Sequence, residues 1–340
     1  MPKIAVFFGG KISKHLVLVR NAATRLRQGY GGQGKIDVEL DLVSYNNVCF
    51  ETETGKITLR GKDVNEYDVL FFRTTGKHWE EVDLIINSIK APRPVIVDPL
   101  VEYGKPSYAC KAWQMLKLKE AGIDVPRSVY GSLWYLYEVM AREDNSHQRI
   151  FSSGESAKQA QSSPNPSFDK EGRVQFNFPV ILKGSGGDRG TRVFKANNLK
   201  ELEKLVRDLR KSETEEGKRY MLQEYIENDG DFRVLVLGEK VLGVMKRSSQ
   251  SKDEFRNNYS AGGKVEVADL PEEVKKLAVK AAKVCGLAVA GVDVAFRDFD
   301  KNKPVVWEVN KGPQFKGFMK ATGIDVPKEI VKYLVSLKKL

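Results

Sequence analysis

Two carboxylates and one amide near the end of the chain have the spacing of a ligand set. In the stretch VVWEVNKGP, Glu308 and Asn310 are two residues apart, so an extended strand points both side chains to one face. Asp293 is the only charged residue of the apolar run AGVDVAF, where an unpaired carboxylate would be costly. Three oxygen donors on adjacent strands suit Mg²⁺. The alternative is that the carboxylates pair structurally with lysine or arginine.

A glycine-rich segment, PVILKGSGGDRGTRVFK, spans residues 179–195 between two predicted strands. Gly186 and Gly187 would let backbone N–H groups approach phosphate oxygens, and Lys183 would add a positive charge. The pattern predicts a flap that closes over a nucleotide. A plain β-hairpin with a surface lysine is the alternative.

An earlier segment, GYGGQGKI at 29–36, matches the opening of a phosphate-binding loop. It has Ile36 where that loop needs a Ser or Thr hydroxyl, and it lies between a helix and a strand rather than the reverse. We interpret it as a glycine-rich connection.

Three arginines lie on or beside a predicted hairpin, namely Arg233, Arg247 and Arg256, the last within FRNNYSAGG at 255–263. Guanidinium groups can neutralise the charge on a transferring phosphoryl group. Solvated surface charge is the alternative.

The composition limits the class of protein. The 340 residues allow two or three domains, and three dispersed cysteines with no CxxC pair suit a reducing, cytoplasmic location. Three scattered histidines argue against a histidine-based metal site or triad. No apolar run reaches the ~20 residues of a membrane-spanning helix. The net charge of +11 attracts anions, but the basic residues form no stripe interleaved with aromatic residues, which argues against nucleic acid.

The pattern of strands and helices indicates an α/β region followed by an α+β region. Strands and helices alternate over the first hundred residues, which predicts a small, mostly parallel sheet. A helix is expected at 106–121 and another at 132–142. The segment 142–172, with seven serines and two prolines, predicts a mobile insertion because it has few apolar side chains to bury. Structure resumes at 177.

Six segments in this order resemble the ATP-grasp superfamily, and within it the RimK-type amino-acid ligases. They are KAWQMLKLKEAGIDVP, FPVILKGSGGDRG, MLQEYI with GDFRVLVLG, FRNNYSAGG, GVDVAF with WEVN, and ATGIDV, within residues 105–340. The resemblance implies an N-terminal pre-ATP-grasp, Rossmann-like α/β domain at 1–103 and a two-lobed ATP-grasp domain at 104–340. The lid lobe would cover about 125–225 and the C-terminal lobe about 226–340.

The resemblance also implies roles by position. Lys111 and Lys183 match the two lysines that hold ATP phosphates, beside Gly186 and Gly187 of the flap. Glu224 and Tyr225 match the hinge at the adenine, and Asp231 matches an acid that contacts the nucleotide. The remaining matches are Arg256 and Asn258 near the γ-phosphate, with Arg256 and Lys183 as catalytic residues, and Asp293, Glu308 and Asn310 as ligands of Mg²⁺.

The implied activity is an ATP- and Mg²⁺-dependent carboxylate–amine ligase, with Mn²⁺ as an alternative metal. The enzyme would form an amide through an acyl phosphate and release ADP, adding glutamate or a similar amino acid to a protein or small-molecule acceptor. Other ATP-grasp ligases, of the D-Ala-D-Ala or peptide-forming type, and a non-catalytic nucleotide-binding protein are the alternatives. A homo-oligomer is left open. After Asn310 the chain reads Lys-Gly-Pro-Gln where the family often has x-Ser-Pro-Gly, which leaves the acceptor unassigned.

Overall fold

The computed structural model describes residues 1–29, 35–104, 110–141, 176–184, 192–249 and 263–339. These residues form two compact units. The first combines Met1–Val125 with Asn228–Leu340, and the second is Pro126–Glu227. Both units mix helices with β-sheets, so the predicted α/β and α+β class is confirmed.

The strands are numbered β1 to β16 in chain order: Lys3–Phe8, Glu39–Ser44, Val48–Glu51, Lys56–Leu59, Lys62–Asp63, Val69–Phe72, Val95–Val97, Ser128–Gly131, Val180–Gly184, Val193–Ala196, Tyr220–Glu224, Asp231–Leu237, Lys240–Ser248, Lys264–Ala268, Val289–Phe296 and Pro304–Lys311. The helices α1 to α8 are Lys14–Gln28, Trp79–Ser88, Lys111–Glu120, residues 133–141, Leu199–Thr214, Glu272–Val284, Lys316–Thr322 and Val326–Ser336.

The N-terminal part of the first unit is built on a parallel sheet of order β2-β1-β6-β7. Its central strands, KIAVFF and VLFF, are almost wholly buried, as expected for strands that are covered on both faces. Helix α1 is capped at its N-terminus by Ser13, whose hydroxyl accepts the Leu16 N–H, and at its C-terminus by Gly29 in the left-handed conformation. Strands β3 and β4 form a hairpin in which they pair in an antiparallel manner.

The C-terminal part of the first unit contains a five-stranded antiparallel sheet of order β14-β13-β12-β15-β16. Strand β15 is buried along its whole length, and it lies between β12 and β16. Helix α6 packs against this sheet, and α8 packs against α1. One continuous apolar cluster includes side chains of β1, α1 and α8, so the N-terminal sheet and the C-terminal helices share a core.

The second unit has a sheet of order β10-β9-β11-β8, with every neighbouring pair antiparallel. Strands β9 and β11 supply the buried residues Val180, Leu182, Tyr220 and Leu222, which pack with the apolar side chains of α4 and α5. Helix α5 begins at Asn198, whose side chain accepts the Glu201 N–H.

Four short strands and helices were not predicted from the sequence. Strands β5, β8 and β14 and helix α7 are two, four, five and seven residues long. Segments this short show too few residues for a periodic pattern to stand out. The helix expected at 106–121 is described only from Lys111, because residues 105–109 lie outside the described ranges.

Candidate functional site

Strands β15 and β16 bring together the three side chains that the sequence singles out as oxygen donors. Asp293 pairs directly with Glu308 in the register, and a bulge follows at Val294. The Asn310 amide nitrogen lies 3.2 Å from Asp293 Oδ2 and 3.2 Å from Glu308 Oε2. The amide therefore bridges the two carboxylates. The role of these residues as metal ligands stays a prediction.

Asp293 is buried, and its carboxylate is held by two arginines. Arg233 donates from Nε to Oδ1 at 2.7 Å and from Nη2 to Oδ2 at 2.7 Å. Arg247 Nη2 lies 2.9 Å from the same Oδ2. Burial opposes ionisation of Asp293, but the two guanidinium groups outweigh it and lower the pKa to about 2. The structural pairing considered as the alternative for Asp293 is thus present.

Asp231 completes this network from strand β12. Its carboxylate accepts from Arg247 Nε at 2.6 Å and from Arg247 Nη2 at 2.7 Å, and both residues are buried. The register explains the cluster, because Asp231 lies opposite Arg247 and Arg233 lies opposite Asp293. Asp231 and Arg233 are two apart on β12 and share one face. The structure thus places Asp231, the predicted nucleotide contact, in an ion pair with Arg247.

Lys111 is the first residue of α3, and its ammonium contacts the carboxylate of Glu308. Lys111 Nζ lies 2.5 Å from Glu308 Oε1, and the side chains are 45% and 36% exposed. This contact is therefore far more open to solvent than the arginine pairs on Asp293, where the carboxylate side chain is 6% exposed. Within the first unit, Lys111, Asp231, Asp293, Glu308 and Asn310 belong to one connected set of polar contacts.

The second unit holds Lys183, Glu224 and Tyr225. Lys183 lies on β9 opposite Met221 of β11. Glu224 Oε1 accepts the Arg127 N–H at 2.8 Å, while the Glu224 N–H donates to the Arg127 carbonyl at 3.0 Å. These two bonds fix Glu224 at the end of β11, on the chain segment where the sequence predicts an adenine hinge.

The next residue, Tyr225, has a cation over its ring. Lys195 Nζ lies 4.0 Å from the ring centroid, a cation–π contact. Burial raises the pKa of the Tyr225 hydroxyl, and the charge of Glu227 adds to this. Four predicted site residues, Gly186, Gly187, Arg256 and Asn258, lie outside the described residues. So do the insertion at 142–172 and most of the glycine-rich connection at 29–36.

Two buried charged residues beside the site escaped the sequence reasoning. Asp98, which follows β7, accepts the Ala288 and Val289 N–H groups on Oδ1 at 2.8 and 3.0 Å, at the start of β15. Burial raises its pKa, and the charge of Lys311 offsets part of this effect. Asp98 ends an apolar strand in the motif VIVDP, and that isolated charge was the signal that could have identified it.

Arg73 is the second of these buried charged residues, and it directly follows strand β6. Its Nη2 donates to the Pro313 carbonyl at 2.9 Å, and its guanidinium carbon lies 5.2 Å from the Phe315 ring centroid. Burial lowers the pKa of Arg73 to about 10. Arg73 therefore holds the segment that follows the donor strand β16. In VLFFR, as in VIVDP, a single charged residue follows an apolar strand, and this pattern could have identified Arg73 from the sequence.

In the described part of the chain, no group of three or more His, Cys, Asp or Glu side chains suited to a metal ion occurs, since the donor set above counts an asparagine as its third member. Nor does that part contain a helix that is both long and apolar enough to cross a membrane.

Comparison with solved structures identifies the class of fold. ATP-grasp ligase PsnB, solved with a phosphomimetic variant of its minimal precursor, Mg and ADP, superposes with a TM-score of 0.64 at 17% identity over 98% of each chain. D-alanine–D-alanine ligase from Bacillus anthracis gives 0.57 at 15% identity, covering 100% of this chain and 98% of that one. At such identities the likeness shows the fold alone. The fold is that of ATP-grasp ligases.

The family follows from the sequence. The model of the RimK-like ATP-grasp domain matches residues 161–334, and the chain belongs to this family. A probable alpha-L-glutamate ligase 1 from Shewanella frigidimarina is 37% identical over 158 residues, which are 46% of this chain and 50% of the relative. A probable alpha-L-glutamate ligase from Syntrophotalea carbinolica is 36% identical over 159 residues, again 46% and 50%. The chain spans about half the length of the curated relatives that it matches.

Proposed function

We propose that this chain is an ATP- and Mg²⁺-dependent carboxylate–amine ligase that forms an amide bond through an acyl phosphate. The observation that carries the proposal is the convergence of Asp293, Glu308 and Asn310, at the positions of the metal ligands in the family's pattern. Membership of the RimK-like ATP-grasp family supports the reaction class. PsnB, which shares the fold, was solved with Mg and ADP.

The donor set fits a hard divalent cation. Carboxylate and amide oxygens are the ligands that Mg²⁺ prefers, and the Asn310 amide group lies within hydrogen-bond distance of both carboxylates. Arg233 and Arg247 keep Asp293 ionised, which a metal ligand requires. Asp293, Glu308 and Asn310 would hold the ion, which would neutralise negative charge on the phosphates. Mn²⁺ has the same ligand preference and would substitute for it.

The other predicted residues act on the nucleotide. Lys111 and Lys183 supply positive charge for phosphate oxygens, together with the backbone N–H groups at Gly186 and Gly187. Glu224 and Tyr225 line the adenine, and Asp231 contacts the nucleotide while it accepts two hydrogen bonds from Arg247.

The reaction has two displacement steps. A substrate carboxylate oxygen attacks the γ-phosphorus, the bond to the β-phosphate oxygen breaks, and ADP leaves. An amine then attacks the acyl carbon, the carbon–oxygen bond to phosphate breaks, and inorganic phosphate and one proton are released. Arg256 and Lys183 stabilise the transferring phosphoryl group, and Asn258 lies beside the reaction centre. A closed flap at 184–190 would protect the acyl phosphate from water.

The substrates are an amino acid and a carboxylate or amine acceptor, and glutamate is the amino acid we propose, from the names of the relatives. Free thiols at Cys49, Cys110 and Cys285 suit a reducing cytoplasm. The domain limits stay as proposed from sequence, with a first domain at 1–103, a lid lobe at about 125–225 and a C-terminal lobe at about 226–340. A homo-oligomer is compatible with this function.

The test is a screen for ADP release. The protein is incubated with Mg²⁺, ATP and panels of amino acids and peptides, and products are identified by mass spectrometry. We expect a mass gain of one amino acid in an active pair. Glu308→Gln should lower kcat/KM by at least about 100-fold and keep its fold, because the proposed metal site loses one of its two carboxylate ligands.

The matched control is Glu120→Gln, an exposed carboxylate at the end of α3 that pairs with Lys117. It should leave turnover unchanged. Full activity in Glu308→Gln, or in Lys183→Ala, would refute the site. Nucleotide binding with no ADP release for any acceptor would identify a nucleotide-binding protein instead.

A further inference from the structure

Every carboxylate of the candidate metal site already carries a cationic partner within the protein. Lys111 pairs with Glu308, and Arg233 pairs with Asp293. Arg247 pairs with both Asp293 and Asp231. Three carboxylates therefore face three positive side chains in this set of contacts. Among these contacts of the described residues, a divalent cation that approaches on its own meets three positive charges against three negative ones.

The three cations differ in how firmly they are held. The side chains of Arg233 and Arg247 are 14% and 3% exposed, and each donates two hydrogen bonds to one buried carboxylate. Lys111 is 45% exposed and makes one contact, to a carboxylate that is itself 36% exposed. Exposed ion pairs of this kind contribute little because water screens them. Of these three cations, Lys111 is therefore the one that can move away from its carboxylate partner.

The position of Lys111 on its helix points the same way. Lys111 is the first residue of α3, and the first turn of this helix has no acidic residue. The positive end of the helix dipole disfavours an ammonium at that place, whereas it favours an anion such as a phosphate. The Glu308 carboxylate offsets this cost while the site holds no nucleotide.

We propose that Lys111 makes divalent-cation binding conditional on nucleotide. Without nucleotide its ammonium neutralises Glu308 and competes with the cation for that carboxylate. The phosphates of a bound nucleotide draw the ammonium away, which removes Lys111 from Glu308 and adds negative charge, so that the metal and the nucleotide bind together. The inference rests on the proposed function, because it uses the same nucleotide site.

The experiment measures Mn²⁺ affinity by electron paramagnetic resonance, with and without ADP. Unaltered protein should bind Mn²⁺ weakly alone and more tightly with ADP. Lys111→Met should bind Mn²⁺ alone at least about threefold more tightly, the scale of a half-exposed ion pair. Lys111→Arg, which keeps the charge, should stay close to the unaltered protein. Lys117→Met is the matched control, since it removes the same charge from α3 at a residue that pairs with Glu120 and not with Glu308.

The outcomes separate the inference from the function on which it rests. Equal nucleotide-free Mn²⁺ affinity in the unaltered protein and in Lys111→Met would overturn the inference, and so would an equal gain in Lys117→Met. Lys111→Gln repeats the test should the methionine variant fail to fold. If ADP does not strengthen Mn²⁺ binding to the unaltered protein, the proposed nucleotide site itself is refuted.

Discussion

Replacing Asp98 by alanine should destabilise the first unit strongly, whereas replacement by asparagine should not. The Asp98 side chain is fully buried, and its Oδ1 accepts two backbone N–H groups at the start of β15. Its backbone has φ of 61° and ψ of 71°, the left-handed conformation. Aspartate and asparagine tolerate this conformation better than alanine does.

The magnitude follows from these contacts. Alanine would leave two buried N–H groups without an acceptor, at about 1–3 kcal/mol each, and would add about 1 kcal/mol for the left-handed backbone. We expect Asp98→Ala to lose about 3–7 kcal/mol. Asparagine keeps the Oδ1 acceptor and the backbone preference, but puts an amide nitrogen where Oδ2 has no hydrogen-bond partner among the described residues. It should lose about 1–2 kcal/mol.

Urea unfolding followed by circular dichroism and tryptophan fluorescence would measure both variants. Asp300→Ala serves as the control, since Asp300 is only partly buried, its carboxylate accepts a single N–H, from Asn302, and its φ is −87°. It should lose less than about 1 kcal/mol. Equal losses in Asp98→Ala and Asp98→Asn, or a loss below about 1 kcal/mol in the alanine variant, would refute the reasoning.

The same pair of proteins should respond differently to pH. Burial raises the pKa of Asp98 above the ordinary value of 3.8, so the folded state binds this proton more tightly than the unfolded chain does. The contribution of Asp98 to stability is therefore largest below pH 3.8 and declines as pH rises through the folded-state pKa. Asparagine does not titrate. The stability deficit of Asp98→Asn should shrink as pH rises above about 4, and a deficit that grows would contradict the raised pKa.

Two further predictions concern backbone and charge near the site. Arg247→Met should lower the free energy of unfolding by about 3–5 kcal/mol, because it leaves buried aspartates short of a partner; an unchanged urea midpoint would count against this pairing. Gly312 has φ of +58°, and a Cβ there would lie 2.5 Å from the Arg73 carbonyl oxygen. Gly312→Ala should therefore lower the melting temperature more than Gly323→Ala, where φ is +74° and a Cβ would have open space. Equal melting temperatures in the two alanine variants would show that the close approach is not important.

Local patterns were enough to predict much of the fold. The apolar runs KIAVFF and VLFF identify parallel strands that are covered on both faces, and alternation along VVWEVN places Glu308 and Asn310 on one face. The bond between the Asn310 amide and Glu308 is consistent with that alternation. These features depend on residues that are close in sequence, where one period decides the outcome.

Long-range pairing could not be predicted in the same way. Asp293 meets Arg233 only because β12 and β15 are neighbours with a particular register, and the two residues are 60 positions apart. Sequence alternation gives the face of a strand but not its partner or its register. For the same reason, the arginines could be interpreted from sequence either as phosphate contacts or as surface charge. The contact between Lys111 and Glu308 depends on where helix α3 begins. The sequence of residues 106–121 does not by itself define that first residue.

The bonds from Asp98 to the start of β15 have a consequence for biosynthesis. The ribosome adds Asp98 to the chain roughly ten seconds or more before Val289, since the two are separated by 191 residues and translation adds about 5–20 residues per second. During that interval the nascent sheet carries a carboxylate whose backbone partners do not yet exist, so it stays hydrated at the strand end. The end of the parallel sheet at Asp98 can be buried only when nearly the entire polypeptide has been translated. Folding of this part of the chain is therefore completed late, in one cooperative step.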